Sequence, residues 1–374
     1  MSRSVRSKTV ILVGLALLAV GLQALLEATR APQRQRDYEL KLTAATIAYE
    51  SMTALRRFRN MEGAELDLVN DPAGTGLVGP EFSPVTNARG DLDAKLTSLN
   101  PNFAAVMVEM FRNAGLKPGD HVAVALSGSF PGLNVCMLAA LETMELAPVI
   151  VTSVGASMWG ANDPGFTWLD MEHVLLEERL LHVRSQAATL GGGDDMGRGL
   201  SPDGRRLLHK AIERNEVPLL PSDNIDDAIV RRMAFYEEAM RGRPYRCYVN
   251  VGGGVASLGS NRGRLLVTRG LSMSLTAENW PRKGTLALMA DRGVPIVHFL
   301  EIEGLARDYG LPLAPDYLPE PGEGDIFVRD SYRLDLVALI FVLYAGLCIA
   351  VLAPQVKDEL VNVWRIRRRR GDVS

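Results

Sequence analysis

Two uncharged apolar runs with arginine-rich flanks constrain this chain more than any other feature of it. The first, VILVGLALLAVGLQALL at residues 10–26, follows Arg3, Arg6 and Lys8. The second, LVALIFVLYAGLCIAVLA at residues 336–353, precedes Arg365, Arg367, Arg368, Arg369 and Arg370. A helix of roughly 17 or more apolar residues is long enough to cross a bilayer. The first run also has the layout of a signal peptide, but it exceeds the usual apolar core of one. Glu27, Arg30 and Pro32 also spoil the place where a cleavage site would fall. The second run has the composition of a buried core helix as well, and the arginines behind it decide for a span, because basic residues flank spans on the cytoplasmic side. Both basic ends are therefore expected inside, with residues 27–335 on the opposite side of the membrane.

The expected divisions are a cytoplasmic tail and first transmembrane helix at 1–29 and an amphipathic helix with a loop-rich stretch at 30–100. An external α/β domain at 101–330, a second transmembrane helix at 334–354 and a basic cytoplasmic tail at 355–374 complete them. The helix is expected over residues 34–59, where Leu40, Ile47, Met52, Leu55 and Phe58 recur among charges. It reads equally as a helix leaving the membrane and as a surface helix of the main domain.

This placement limits the chemistry. Nucleotide cofactors are not normally available outside the cytoplasm, and the sequence holds no GxxxxGK[ST] loop. GGGVASLG only partly matches a dinucleotide fingerprint, so no nucleotide cofactor is expected. A net charge of −3, from 41 basic and 44 acidic residues, lacks the basic excess of a nucleic-acid binder, and no nucleic-acid partner is expected. Of the three cysteines, only Cys136 and Cys247 are placed where a disulfide could form, and nothing local pairs them.

Between the apolar runs the order strand, glycine or serine loop, helix recurs. HVAVAL opens into SGSFPG before a helical stretch, APVIVTS ends in SVGAS, YRCYVNV ends in GGGVASLG, and VPIVHF leads to a further helix. Strands alternating with helices predict a doubly wound α/β fold, a mostly parallel sheet with helices on both faces, flanked here by one transmembrane helix at each end.

In such sheets ligands bind outside the carboxyl ends of the strands. The residues expected there are Ser127, Gly128, Ser129 and Asn134 in SGSFPGLN, and Ser153, Ser157 and Asp163 in SVGASMWGAND. Asn250, Gly252, Gly253, Gly254 and Ser257 in NVGGGVASLG complete them, with His298 in VPIVHFLE. Each loop taken singly is explained by turn geometry and helix capping. Several of them on one edge, with Arg198 from LGGGDDMGRGLS, predict an anion or carboxylate site of backbone N–H groups, hydroxyls and a guanidinium. His298 with Ser127 or Ser129 is the only serine–histidine pair worth entertaining, although no GxSxG elbow is formed and a core histidine is the simpler explanation. Asp194 and Asp195 are the residues that would hold a divalent cation, the one cofactor the loops allow for; solvated carboxylates or helix caps are the ordinary alternative.

The series SPVTNARGDLDAKLTSLNPNFAA, VALSGSFPGLN, VTSVGASMWGANDPGFTWLDME, ATLGGGDDMGRGLSPDGR, NVGGGVASLG, GVPIVHFL and LPEPGEG resembles the bacterial poly-γ-glutamate system protein family over residues 77–324. The resemblance implies a membrane protein that works with a poly-γ-glutamate synthase complex: an ATP-dependent ligase, a small polytopic membrane subunit and an external phosphoesterase-like subunit. It supplies no catalytic residues. Because polymerisation would use ATP inside the cell, an external domain is expected to be an accessory component that binds the anionic polymer or the partner subunits. The alternative is an external amide hydrolase or transferase that trims, releases or attaches the γ-glutamyl chain.

Overall fold

A computed structural model describes the backbone of residues 3–371 and the side chains of residues 9–354. The basic side chains at Arg3, Arg6 and Lys8, and those of the 355–374 tail including Arg365 and Arg367 to Arg370, lie outside the described residues. The chain divides into two units: one joins the terminal segments up to Arg34 and from Val328, and the other is Gln35–Phe327.

The terminal unit holds two helices, Arg3–Ala28 and Leu334–Gly371. Thr9–Ala28 and Leu334–Pro354 are long and apolar enough to cross a membrane, and neither is buried against the protein, so the second run is no core helix. A short antiparallel ribbon pairs Ala31–Arg34 with Val328–Ser331. Tyr332 is the polar junction here: its hydroxyl accepts from Arg30 at 2.6 Å, and the same guanidinium stacks 4.3 Å over its ring.

The central unit is built on a six-stranded sheet: β1 His121–Ser127, β2 Ala147–Ser153, β3 Ala187–Thr189, β4 Cys247–Val251, β5 Gly270–Ser272 and β6 Ile296–Phe299. The spatial order is β5-β6-β4-β1-β2-β3, all parallel except the edge strand β5. The chain runs outward from β1 through β2 to β3, then crosses to β4 on the other side of β1. The order reverses between β1 and β4, which is where open α/β sheets bind ligands.

Side chains alternate between two apolar layers, as a sheet covered on both faces requires. Val122, Val124 and Leu126 join one core, and Ala123 and Ala125 the other. The first layer is covered by α3 Phe103–Asn113 and α4 Pro131–Thr143, and the second by α7 Ile225–Met240 and α8 Thr285–Asp291; between them in sequence lie α5 Trp168–Glu177 and α6 Pro202–Arg214. Helix α4 is buried from Pro131 to Leu141 on every side. A helix apolar all round needs a second cover, and α1 Tyr38–Met61 supplies it with buried Ala44, Ala45, Ala48, Met52 and Leu55.

The expected boundary near residue 100 is therefore corrected. Residues 35–100, with α1 and the short α2 Leu92–Ser98, belong to the central unit because α1 closes its core. The helix read at 34–59 is a core helix of that unit. Cys136 and Cys247 are buried and free, so they do not pair.

Candidate functional site

Register places a band of polar side chains across the carboxyl ends of the strands. Ser127 of β1 pairs with Ser153 of β2, which pairs with Thr189 of β3. All three continue the row of Ala125, Val151 and Ala187 on the face under α7, because residues two apart share a face. The band ends at Gly252, just past β4, which has φ +90°. A Cβ there would lie 3.2 Å from Ser127 Cβ, so glycine both permits the turn and lets the loop close on the serine. Gly253 and Gly254 continue the loop; a Cβ at Gly254 would come no nearer than 4.0 Å to Ser153 Oγ.

Beneath the band lies a buried ion pair. Arg232 Nε donates to Asp195 Oδ2 at 2.7 Å and Nη2 to Oδ1 at 3.0 Å. Nη2 also reaches Ser153 Oγ at 2.8 Å and Thr189 Oγ1 at 2.7 Å, and both charged side chains are 2% exposed. A buried arginine and carboxylate survive only when paired and hydrogen-bonded, and here the serine and threonine complete the pairing. Asp195 also lines a cavity of about 600 Å³ with Asp194, Arg198, Arg205 and His209.

One row deeper, Asn250 of β4 pairs with His298 of β6. The Asn250 amide nitrogen donates to Gly252 O at 2.6 Å and lies 3.0 Å from His298 Nδ1. Burial pushes the imidazole down to about 4; the Asn250 backbone opposes that shift and the charge on Arg264 adds to it. His298 is therefore neutral at physiological pH. It is 1% exposed, and its Nε2 has no hydrogen-bond partner among the described residues.

A third element supports the β1 loop from the other side. Lys95 of α2, 3% exposed, donates to the Ser129 carbonyl and to Ser157 Oγ at 2.7 Å, with its Nζ 4.0 Å over the Phe130 ring. No carboxylate among the described residues lies within ion-pair distance of it, and burial pushes its amine down to about 7, against the pull of Asp91. Ser157 N–H in turn donates to Ser129 Oγ at 3.0 Å. Gly128 is needed for close packing, since a Cβ would lie 2.5 Å from Val154 O.

The expected residues fall into groups. Ser127, Ser153, Asn250, His298 and Gly252 to Gly254 converge at the reversal of strand order. Asn134 donates to Ser127 O at 2.9 Å and so fixes the β1 loop from below, and Ser257 is held by the Tyr248 hydroxyl at 2.8 Å. Asp163 stands apart in a two-stranded hairpin, 3.1 Å from Arg59. Arg198 is exposed and paired with Asp194 at 2.6 Å, on the rim of the neighbouring cavity rather than over the strand ends.

Two anticipated partnerships are not formed. His298 bonds to Asn250, whereas Ser127 Oγ accepts from Ser129 N–H at 3.2 Å and Ser129 Oγ from Ser157 N–H. Strand β4 lies between β1 and β6, so Ser127 and His298 are two ladder steps apart, roughly 10 Å. Asp194 and Asp195 are held by different arginines, and both oxygens of Asp195 are occupied by Arg232, so the two do not form a shared cation site.

Lys95, Thr189, Arg232 and Arg264 are functional candidates that motif reading missed. Arg232 had a signal: it shares one helix face with Ile225, Ala228, Ile229, Met233 and Tyr236, where an arginine must find a buried partner. Lys95 falls likewise between Leu92 and Leu99 at helical spacing. No family model, no curated protein and no solved structure matches this chain.

Proposed function

We propose that this chain is a two-span protein of the bacterial cytoplasmic membrane, with both termini inside and the central unit outside. In this reading it is an accessory component of poly-γ-glutamate synthesis or export that binds the anionic polymer or the synthase subunits. The observation that carries the binding function is the convergence of Ser127, Ser153 and the Gly252–Gly254 loop where the strand order reverses. The two terminal helices and the motif resemblance support the location and the pathway. Tags placed in the central unit of intact cells should be reached by impermeant reagents; labelling only after lysis would remove the external placement.

Gly254 offers a direct test of binding. Its φ of −55° suits any residue and a Cβ there would meet nothing closer than Ser153 Oγ at 4.0 Å, so Gly254→Phe should fold with a thermal midpoint close to that of the parent. In full-length protein in nanodiscs, the bulky ring should lower affinity for γ-glutamyl oligomers at least about tenfold, and parent binding should weaken steeply with salt. Equal affinity in the two proteins would place the polymer elsewhere.

A second reading, an amide hydrolase or transferase, is favoured by one contact. Lys95 Nζ is 2.7 Å from Ser157 Oγ, the geometry of a lysine base beside a serine nucleophile. Ser157 Oγ would attack the γ-amide carbonyl as its proton passes to Lys95, and the departing amine would take that proton. Water or an acceptor amine would then release the acyl group. On this reading purified protein shortens γ-glutamyl oligomers and Ser157→Ala does not; oligomers of constant length with the parent protein remove it.

A further inference from the structure

The hydrogen-bond pattern around His298 fixes its tautomer. The Asn250 amide group that faces Gly252 O at 2.6 Å must be the nitrogen, since an amide oxygen there would meet a carbonyl oxygen. The same nitrogen faces His298 Nδ1 at 3.0 Å, so Nδ1 is the acceptor and the proton of the neutral ring sits on Nε2. That N–H lies on the side of the ring turned away from Asn250. It is a buried donor that no group among the described residues satisfies. Folded proteins rarely leave such a donor unmatched away from a site that uses the group.

The surroundings say what kind of group would match it. A Cβ at Gly253 would lie 3.4 Å from Arg264 Nε and 3.5 Å from its Cζ, so the guanidinium lies directly on the glycine loop. Arg264 is exposed and makes no ion pair among the described residues, and its charge reaches the His298 ring. The N–H groups of Gly253 and Gly254 donate to no other backbone group among the described residues. On the far side of Gly252, Ser127 Oγ would be 3.6 Å from a Cβ on that residue. Donors and a cation with no ion pair among the described residues flank one stretch of glycine backbone, and the carboxylate of Asp195 behind Ser153 is neutralised by Arg232.

We infer that His298 Nε2–H and the Arg264 guanidinium, across the Gly252–Gly254 loop, form a subsite for an oxyanion of carboxylate or phosphate type. This inference rests on the placement of the ligand at the reversal of strand order and names the groups that hold its charge. His298 acts there as a neutral hydrogen-bond donor that accepts no proton, and Asn250 is the positioning residue that holds its tautomer. Arg264 supplies the charge, and the glycines let the anion approach the backbone.

The test uses the full chain in nanodiscs with ¹⁵N-labelled histidine, titrated separately with glutarate and with inorganic phosphate. The His298 Nε2–H resonance should shift saturably with at least one probe. Arg264→Ala should weaken that probe about tenfold or more, and Arg264→Lys should recover part of the loss. Because Arg264 is exposed, neither change threatens the fold. His298→Gln, which keeps a donor, should retain more affinity than His298→Leu at matched thermal stability. A shift with glutarate alone assigns a carboxylate, and with phosphate alone a phosphate. A resonance unmoved by either, or full affinity in Arg264→Ala, overturns the subsite. γ-Glutamyl oligomers that are blocked by Gly254→Phe yet bind Arg264→Ala and His298→Leu normally would defeat this subsite alone. Oligomers indifferent to Gly254→Phe would defeat the broader placement.

Discussion

Replacing Arg232 with methionine should destabilise the central unit by about 3–5 kcal/mol, because it strands the carboxylate of Asp195, which has no other ion-pair partner among the described residues. The lost contacts are the two to Asp195 and those to Ser153 and Thr189. The apolar replacement keeps much of the packing of the side chain, so the loss reports electrostatics and hydrogen bonding rather than a cavity. For a unit of this size the thermal midpoint should fall by roughly 10 °C. Adding Asp195→Asn removes the orphaned charge, and asparagine tolerates the φ of +63° at this position. The double variant should regain at least half of the lost stability, a coupling that two independent sites would not show. A loss below about 1 kcal/mol in the single variant would mean that the pair is solvated, contrary to its 2% exposure. The same substitution should weaken γ-glutamyl binding, since Ser153 Oγ and Thr189 Oγ1 would lose the donor that fixes them beneath the glycine loop.

The strands that were legible in the sequence are those with four or more residues and an apolar run closed by serine or glycine, such as HVAVALS and CYVNV. Within the six-stranded sheet the two that were not, Ala187–Thr189 and Gly270–Ser272, are three-residue edge strands, too short to display any period. VPLL at residues 217–220 has the composition of a strand, yet only Leu219 bridges to Ala188, because the prolines on either side, Pro218 and Pro221, lack the N–H that a ladder uses. At the site, the loops could be placed because turn chemistry is local. Their partners could not, because they depend on strand order. Only the reversal between β1 and β4 separates Ser127 from His298 and brings Gly252 to Ser127. The same reversal sets Asn250 beside His298, which replaces a serine–histidine pair with an asparagine–histidine pair and turns the imidazole from a base into a donor.

Lys95 should make the stability of the central unit rise with pH in a range where most proteins are indifferent or decline. Two acceptors and the Phe130 ring favour the ammonium, but burial to 3% exposure without a paired carboxylate outweighs them and brings the amine down to about 7. In the unfolded chain the same amine holds its proton to about 10.4. Between these values the unfolded state binds the extra proton, so raising the pH favours the folded state. Below pH 7 both states are charged and the penalty is constant; above about 10.4 both are neutral and the folded state carries none of it. The parent should therefore gain on the order of 3 kcal/mol relative to Lys95→Met between pH 7 and pH 10, measured by chemical unfolding in nanodiscs. The difference between the two proteins is the relevant quantity, since it cancels every other titrating group. Curves that run parallel across that window would show that Lys95 stays an ammonium. The neutral amine is also the form that could take a proton from Ser157. An absence of pH-dependent stabilisation would therefore weaken the hydrolase reading as well, while leaving the anion site at His298 and Arg264 untouched.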